Sequence, residues 1–435
     1  MPPTSILRVA IRRTPGGKRA CGRPKEVWRQ CPSEAVHTMS TTELPGIGVF
    51  GTGTAVRCLV PILKYHGFRV EALWGRTKDS VEECAKDLQI GFKTNKVDDV
   101  LLHKDVDLVF IHCPPHLQAP IAAKALGIGK HVICGTPAGP SQVDALKMVH
   151  AAEYYPKLMS LMCNGLRFLP CFQKMKQMID DSYIGRISVV EARVYCGSFV
   201  KDKYDWMCDE LMGGGVLNTY GSIIIDLITY LTKQHAVRVH GMLRTFTKNT
   251  EKIRGIRQIT SDDFCTFQME LDKGACVTVT INSHIPGQYV HEVLICGSKG
   301  RLIVRGMDLF GTKNDAAKEE IFYHEAPDIL DQERTGVSES IRADIPIPHL
   351  KGLMRLIHSV KDAFKMVPED KHAWSDHPVS QASTFKDGQY IQTVVDMLYQ
   401  SSRSRDWVKI DILNEEPDPA PYLSDAMRRS TFSLR

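Results

Sequence analysis

One short segment constrains this chain more than any other, because it joins an apolar strand to a glycine-rich turn and then to a helix. Residues 47–57 read Ile-Gly-Val-Phe-Gly-Thr-Gly-Thr-Ala-Val-Arg. The strand Ile47–Phe50 leads into a turn that contains Gly51 and Gly53. Such glycines let the backbone approach a pyrophosphate, and the helix N-terminus supplies free N–H groups and a partial positive charge. The segment therefore predicts a dinucleotide-binding unit.

Two further positions refine this prediction. The third glycine of the G-x-G-x-x-G pattern is replaced by Val56, where close helix–strand packing prefers Gly or Ala. The second predicted strand ends at Trp74, where such sites usually place a carboxylate on the ribose 2′-hydroxyl. Arg76 and Thr77 follow instead. A cation and a hydroxyl without an acid suit a 2′-phosphate, so we expect NADP(H) to be favoured over NAD(H).

The length and charge of the chain limit its class of function. With 435 residues it is long enough for two domains of ordinary size. The net charge of +5 is concentrated in residues 1–38, which carry eight Lys or Arg and two Glu, so the remainder is close to neutral. A neutral body does not favour nucleic-acid binding. No apolar run reaches the roughly 18 residues that span a membrane, so we expect no membrane partner.

Residues 1–43 are predicted to form a disordered basic leader. They are rich in arginine and poor in acidic residues, as mitochondrial transit peptides are, but prolines and glycines interrupt any amphipathic helix. They also lack the apolar core of a signal peptide. An alternative start of translation is Met39.

The cysteines favour a reducing compartment. The chain has 13 of them, an odd number, scattered without paired spacing, which indicates free thiols. No C-x-x-C pair or His/Cys cluster has the spacing of a metal site, so no bound metal is expected. These observations predict a cytoplasmic protein.

Residues 44–165 alternate between short apolar strands and helices, which predicts a parallel sheet covered on both faces, as in a Rossmann domain. The predicted strands are Ile47–Phe50, Val70–Trp74, a short strand near Phe92, Leu108–His112 and His131–Cys134. The predicted helices are Ala55–His66, Ser80–Leu88, 97–102, Leu117–Leu126 and 145–160.

Residues 166–412 follow a different pattern, in which strands joined by tight turns predict an antiparallel sheet. The predicted strands are Ile187–Tyr195, Val237–Phe246, Phe264–Leu271, Ala275–Ser283, Val290–Cys296 and Arg301–Arg305. The predicted helices are 170–182, 217–231, 349–366 and 385–402, with a loop at about 312–347 and a C-terminal tail at 413–435. The predicted fold is thus an α/β Rossmann domain followed by an α+β domain with a large, open, mostly antiparallel sheet.

Several segments together resemble the Gfo/Idh/MocA family of two-domain, NAD(P)-dependent sugar oxidoreductases. They are 105–117 with Pro114-Pro115-His116, 129–134, the 164–170 crossover, the glycine run 213–217, and 295–302. The resemblance covers about residues 46–412. Within the family the chain is most similar to the animal glucose–fructose oxidoreductase domain-containing proteins, with which it shares stretches near 154–159, 255–267 and 416–429.

The resemblance implies which residues to expect at the site. In this family a Glu-Lys-Pro supplies a Lys, and the glycine-led helix supplies an Asp and a His four residues apart. The corresponding residues here are Thr136, Thr219 and Ile223, so all three acid–base groups are replaced. His116 and Tyr204 remain as weak catalytic candidates. The predicted cofactor-binding residues are Gly51, Thr52, Gly53, Thr54, Arg76, Thr77, Pro114, His116 and Pro137.

Three functions stay open on the sequence. The first is an NADP(H)-binding oxidoreductase-fold protein that is catalytically impaired or inactive and acts in sensing, scaffolding or binding a small sugar-like ligand. The second is an active NADP-dependent sugar oxidoreductase with unorthodox acid–base residues. The third, which rests on the resemblance alone, is a secreted protein associated with the extracellular matrix. The resemblance also implies a homodimer that pairs through the open face of the second sheet.

Overall fold

The computed structural model describes residues 43–198, 200, 204–249, 258–287, 289–326, 336–367 and 373–416, without the side chains of residues 342 and 343. The predicted leader, except for residue 43, lies outside these ranges, and so does the predicted tail beyond residue 416. The described chain forms two sheets.

The first part of the chain alternates strictly between strand and helix. Its strands are β1 Ile47–Phe50, β2 Val70–Trp74, β3 Phe92–Thr94, β4 Leu108–Ile111, β5 His131–Cys134 and β6 Ser160–Met162. Its helices are α1 Thr54–Tyr65, α2 Lys78–Leu88, α3 Val97–Leu101, α4 Pro115–Ile128 and α5 Gln142–Tyr154.

The second part is richer in strands. These are β7 Ile187–Tyr195, β8 Ala236–Arg244, β9 Phe264–Leu271, β10 Cys276–Asn282, β11 Val290–Gly297, β12 Gly300–Arg305, β13 Asp308–Lys313, β14 Glu320–Tyr323, β15 Ser383–Thr384 and β16 Val408–Lys409. Its α-helices are α6 Pro170–Asp180, α7 Ser222–Thr232, α8 Glu339–Asp344, α9 Ile347–Lys365 and α10 Phe385–Ser404.

The two sheets confirm the predicted fold class. The first has the strand order β15-β6-β5-β4-β1-β2-β3, and its neighbours are parallel except for β15, which pairs antiparallel with β6. The second has the order β14-β13-β12-β11-β7-β10-β9-β8-β16. Its neighbours are antiparallel except for β7 and β10, which are parallel.

Two element predictions are wrong, and one predicted helix is present but differs in its helix type at the start. The predicted loop at 312–347 contains β14 and α8, and β13 before it was not predicted. β14 is an edge strand with two exposed side chains followed by two half-buried ones, so its sequence lacks the alternation that marks a half-buried strand. The helix predicted from residue 217 starts as a π-helix, Leu217–Gly221, before α7 begins. The helix predicted at 145–160 stops at Tyr154, and β6 follows.

The core explains why the strands of the first sheet are continuously apolar. β1 and β4 are fully buried along their length. Alternate side chains enter two clusters on opposite faces, for example Leu108 and Phe110 in one and Val109 and Ile111 in the other. Helices therefore cover both faces, as parallel sheets require.

The segment from α9 to α10 returns to the first sheet. Leu356, Ile357 and Val360 of α9 belong to one of its two core clusters. Gly165 and Gly352 touch backbone to backbone, since a Cβ added to Gly165 would lie 2.6 Å from the Gly352 carbonyl carbon. The late segment thus completes the core of the early sheet.

Among the residues that the structure describes, the second sheet is covered on one face only. Val190, Ala192 and Val194 of β7 pack with residues of α6, α7 and α10 in a third core cluster. The stretch Glu210–Thr232, which contains α7, is long and apolar enough to cross a membrane by length and composition, but 72% of its most apolar window is buried inside the protein. That burial is the one expected of a core helix.

Candidate functional site

The candidate site lies where the parallel strands β1, β4, β5 and β6 end. These strands are neighbours in the first sheet, so the residues after them meet at one edge. Ligands of open α/β sheets bind in the crevice outside the carboxyl ends of the strands. The residues that follow these strands are therefore the ones to consider.

The glycine turn after β1 is tightly held at Gly51 and open at Gly53. Gly51 has a φ of +131°, and a Cβ there would lie 2.4 Å from the carbonyl oxygen of His112. Its N–H donates to the Trp74 carbonyl at 2.9 Å. Gly53 is the N-cap of α1, and nothing lies within 4 Å of where its Cβ would be. The first turn of α1 can therefore be approached closely by a ligand.

Val56 explains how the turn tolerates a residue other than glycine. Its side chain is fully buried, and its Cγ2 lies 3.1 Å from the ideal Cβ position of Gly51. Thr52 packs in a similar way, with its methyl group 2.7 Å from the ideal Cβ position of Gly75. Thr54, also predicted, is the half-buried first residue of α1. Val56 therefore fits beside the glycine turn because Gly51 has no side chain in the adjacent space.

Arg76 and Thr77 follow β2 and have different roles. Thr77 is the N-cap of α2; its hydroxyl oxygen accepts from the Ser80 N–H at 3.4 Å and the hydroxyl donates to the Ser80 Oγ at 2.7 Å. Arg76 is exposed and makes no hydrogen bond or ion pair with another described residue. Its charge is near enough to His116 to lower the pKa of that imidazole.

Two histidines follow β4. Burial lowers the pKa of His112 to about 4, and its Nε2 is buried without a hydrogen-bond partner among the described residues. Pro114 is the N-cap of α4 and His116 lies in its first turn. Burial and then Arg76 lower the pKa of His116, against an opposing effect of Asp209. Both imidazoles are therefore neutral near pH 7.

The turn after β5 carries Thr136 in the place where the resemblance expects a lysine. Gly135 approaches His112 so closely that a Cβ would lie 3.0 Å from its Nδ1. The Thr136–Pro137 peptide is cis, Thr136 is half-buried and Pro137 is buried. The turn thus brings a hydroxyl, but no ammonium group, to this edge.

The glycine run of the second part closes against α4. Gly213 has a φ of +86°, and a Cβ there would lie 2.8 Å from the Pro115 Cβ. Gly215 has a φ of +102°, and a Cβ there would lie 2.1 Å from the Asp262 Oδ1. These two glycines place the following π-helix beside the N-terminus of α4.

Asp262 holds the start of that π-helix. Its carbonyl oxygen accepts from the Val216 N–H at 2.9 Å, and its Oδ2 accepts from the Leu217 N–H at 2.8 Å. The Tyr399 hydroxyl donates to its Oδ1 at 2.7 Å. Burial raises the pKa of the Asp262 carboxyl to about 6. These hydrogen bonds fix the start of the π-helix and so position Thr219 and the residues after it.

Thr219 and Ile223 occupy the positions of the expected Asp and His. The Thr219 Oγ1 is buried without a hydrogen-bond partner among the described residues. Ile223 is partly buried and packs against the core of the second sheet. Tyr204, a predicted catalytic candidate, has its hydroxyl 3.5 Å from the Gln258 carbonyl oxygen, to which it donates. Neither the Thr219 hydroxyl nor the Ile223 side chain can act as a base near neutral pH.

Arg167 and Asp226 form a buried ion pair behind the crevice. The guanidinium donates two hydrogen bonds to the carboxylate, at 2.8 and 2.5 Å, and both side chains are nearly inaccessible. Arg167 also donates to the Gln381 carbonyl at 3.3 Å. The pair joins the crossover segment to α7 and therefore has a structural role.

Two residues of the site were not identified from the sequence, His112 and Asn164. Asn164 follows β6, is 1% exposed, and neither side-chain amide atom has a hydrogen-bond partner among the described residues. Buried polar atoms without partners are rare in native proteins. Those of His112 and His116 follow β4 and those of Asn164 follow β6, two parallel strands separated by β5, as expected where a polar ligand at this sheet edge supplies the partners. The signal available in the sequence was only that each residue follows a strand.

The arrangement fits a dinucleotide. The turn at Gly51 and the open N-terminus of α1 suit a pyrophosphate, and the unpaired polar atoms lie at the same sheet edge. Among the described residues no group of three or more His, Cys, Asp or Glu side chains is arranged to hold a metal ion. When bound, a nicotinamide nucleotide would supply hydride chemistry.

The comparison with known families agrees with this arrangement. Residues 46–162 match the family model described as oxidoreductase family, NAD-binding Rossmann fold, and residues 172–303 match the GFO/IDH/MocA C-terminal domain. Glucose-fructose oxidoreductase domain-containing protein 1 of Mus musculus is 50% identical over 398 residues, which cover 90% of this chain and 99% of that protein. Protein 2 of Homo sapiens is 48% identical over 389 residues, covering 89% and 99%.

Solved structures share the fold at low sequence identity. Levoglucosan dehydrogenase in complex with NADH and L-sorbose has a TM-score of 0.69 at 18% identity and covers 85% of this chain and 100% of its own. The WlbA dehydrogenase from Bordetella pertussis, in complex with NADH and UDP-GlcNAcA, has a TM-score of 0.65 at 16% identity, covering 85% and 99%. The chain therefore belongs to the Gfo/Idh/MocA family and is an NAD(P)-binding protein with the oxidoreductase fold of that family.

Proposed function

We propose that this chain binds NADP(H) without efficient turnover and acts as a sensor, scaffold or binder of a small sugar-like ligand. The observation that carries the proposal is the replacement of three acid–base groups at once, by Thr136, Thr219 and Ile223. A general acid or base contributes about 10²- to 10⁴-fold in rate. A threonine hydroxyl does not titrate near pH 7, and an isoleucine transfers no proton.

The two histidines of the crevice are weak replacement bases. His112 and His116 both have a lowered pKa because of burial, and His116 is lowered further by Arg76. The replacements are meanwhile compatible with folding, since Ile223 packs against the apolar core. The loss of the three acid–base groups is therefore compatible with the fold and with the proposed nucleotide site.

A preference for NADP(H) over NAD(H) is part of this proposal. Arg76 is exposed directly after β2, beside the N-terminus of α2, and no carboxylate occupies the end of that strand. A helix N-terminus and a free guanidinium both attract a phosphate. Thr77 contributes less, because its hydroxyl already caps α2.

The test is a fluorescence titration of the purified chain with NADPH and NADH, followed by a search for nicotinamide redox change across a panel of sugars. We expect tighter binding of NADPH and no sugar-dependent change. Rapid turnover with any sugar would overturn the proposal, and so would failure to bind either nucleotide.

An active oxidoreductase that uses His116 is the second candidate. It is favoured by the His116 Nδ1, which is buried at the start of α4 without a hydrogen-bond partner among the described residues. This candidate requires turnover that has a bell-shaped pH profile and that is lost in His116→Ala.

We further propose a cytoplasmic homodimer. The described cysteines are all free, and most are buried, which suits a reducing compartment. The uncovered face of the second sheet carries exposed Val189 and Val290 among polar side chains, a mixture typical of an interface. Cell fractionation tests the location, and light scattering tests the dimer.

A further inference from the structure

A short segment after β16 crosses from the second sheet to a helix of the first part of the chain. Its Leu413 N–H donates a hydrogen bond to the Gln142 Oε1 of α5 at 3.4 Å. The Leu413 carbonyl oxygen accepts one from the Gln389 Nε2 of α10 at 2.6 Å. The segment therefore lies across α5 and α10 together, and we call its residues 410–414 the strap.

The strap is held through its backbone and lies at the surface. Both hydrogen bonds above use main-chain groups of Leu413, and in a third contact the Asn414 carbonyl oxygen lies 3.3 Å from the His150 Nε2 of α5. Asp411, Ile412 and Asn414 are exposed, and Leu413 is half-buried. Segments with few buried apolar contacts and exposed hydrogen bonds open at a low cost in free energy. The strap therefore detaches from α5 more easily than the sheets unfold.

Gln142, the first residue of α5, connects the strap to α10. Its Oε1 accepts from the Thr393 hydroxyl at 3.2 Å as well as from the Leu413 N–H. Its own backbone N–H donates to the Asp396 Oδ2 at 2.8 Å. The residue that receives the strap is thus also the residue through which α10 holds the N-terminus of α5. Release of the strap removes one of the hydrogen bonds that order this helix end.

The same helix end supports the turn after β5, which carries Thr136 at the edge of the crevice. Gly139 in this turn has a φ of +84°, and a Cβ there would lie 2.8 Å from the Asp144 Cβ in the first turn of α5. From α10, a Cβ added to Gly388 would lie 3.1 Å from the Ala138 Cβ. The turn is therefore in close contact with both helices. Because closely packed groups move together, a displacement of the α5 N-terminus also displaces the turn.

We propose that the strap regulates the binding of a nicotinamide nucleotide in the crevice. While the strap lies on α5, it orders the N-terminus of that helix and the turn that carries Thr136, and its release lowers the affinity for the nucleotide. Coupling between two sites is reciprocal, so a bound nucleotide also holds the strap on α5. The inference rests on the nucleotide binding proposed above and adds a means of regulation to it.

The experiment uses the full chain and combines a fluorescence titration with NADPH and hydrogen exchange followed by mass spectrometry. Gln389→Ala removes the donor to the Leu413 carbonyl, and Leu413→Pro removes the Leu413 N–H without changing α10. Gln400→Ala, at an exposed position of α10, is the matched control. In the two strap variants we expect NADPH affinity to fall about 3- to 10-fold, as for one lost hydrogen bond, and exchange in residues 135–145 without nucleotide to be faster. The control should match the wild type, and NADPH should slow exchange of the strap in the wild type.

The outcomes separate this inference from the proposed function. If the wild type binds NADPH and both strap variants bind it equally well, the inference is overturned and the nucleotide proposal stands. The same loss of affinity in Gln400→Ala would also overturn the inference. If the wild type binds no NADPH, the nucleotide proposal fails and the exchange data decide on the strap. Faster exchange of residues 135–145 in both strap variants then supports its hold on the turn, and equal exchange overturns it.

Discussion

Gly51 is the residue of the glycine turn that tolerates a side chain least. Its φ of +131° and the 2.4 Å approach of the His112 carbonyl oxygen to an added Cβ leave no place for a methyl group. We expect Gly51→Ala to lower the free energy of unfolding by about 2–4 kcal/mol. Gly53→Ala is the matched control and should cost less than about 1 kcal/mol, because its Cβ enters open space. If urea denaturation showed the same loss of unfolding free energy in both variants, the close packing at Gly51 would not be what limits this position.

Arg76 is the residue on which the proposed cofactor preference depends. Replacing it with alanine removes the guanidinium that would contact a 2′-phosphate, so we expect NADPH affinity to fall about 10-fold while NADH affinity stays unchanged. Lys86→Ala, at the opposite end of α2, is the control for loss of a positive charge. Equal weakening of NADPH and NADH binding by Arg76→Ala would show that the guanidinium does not recognise the 2′-phosphate.

At the scale of single residues, the sequence predicts a role correctly where local chain geometry sets that role. The turn at Gly51 and Gly53 follows from the strand–glycine–helix order alone. His112 and Asn164 escaped prediction because their importance comes from burial without partners, a property of the folded environment. Thr77 is a different case. Its hydroxyl was predicted to bind a phosphate, but in the structure it already caps α2.

Among the elements, strands with strong apolar alternation were predicted well and edge strands were not. β7 and β9 match their predicted bounds, because inward and outward side chains alternate along them. β14 and β15 are short and join a sheet edge through backbone pairing, which leaves little trace in side-chain pattern. The π-helix before α7 depends on Asp262, which lies 45 residues from Leu217 in sequence.

The hydrogen bonds between Asp262 and the start of the π-helix predict a pH dependence of the stability of the folded chain. The folded pKa of about 6 lies above the unfolded value of about 3.9, so the folded chain favours the protonated form. The contribution of the Asp262 carboxyl to the free energy of unfolding is therefore fully present below about pH 4. It is lost as the pH rises through about 6. We expect the free energy of unfolding of the wild type to fall by about 1–3 kcal/mol relative to that of Asp262→Asn across this pH range.

The measurement is denaturant unfolding of both proteins at several pH values. Asp396 also has a pKa raised to about 6 by burial, but it is common to both proteins and cancels in the difference. Stability curves that stay parallel from about pH 4 to 7 would show that the Asp262 pKa is not raised on folding.

For the whole molecule, the uncovered face of the second sheet predicts how copies associate. Val189 is 39% exposed on β7, the central strand of the sheet, and pairs with Cys276 and Cys296 of the two neighbouring strands. Val189→Glu would place a charge at the centre of the proposed dimer interface, where charged residues are depleted. We expect light scattering to find a dimer for the wild type and a monomer for this variant.

Tyr154→Glu is the control for that experiment, because Tyr154 is 77% exposed on α5 of the first part. It should remain dimeric. A monomeric wild type, or a Val189→Glu variant that dimerises as well as the control, would place the interface elsewhere or remove it.

For the whole molecule, we propose that nucleotide binding persists where proton transfer has been lost. The most direct test is rapid mixing of the purified chain, loaded with NADP⁺, with an excess of each sugar in a panel, while reduced nicotinamide is followed by its absorbance in a single turnover. We expect that the nucleotide stays bound and that no reduced nicotinamide forms faster than in a protein-free control. A single-turnover burst of reduced nicotinamide with any sugar would contradict it.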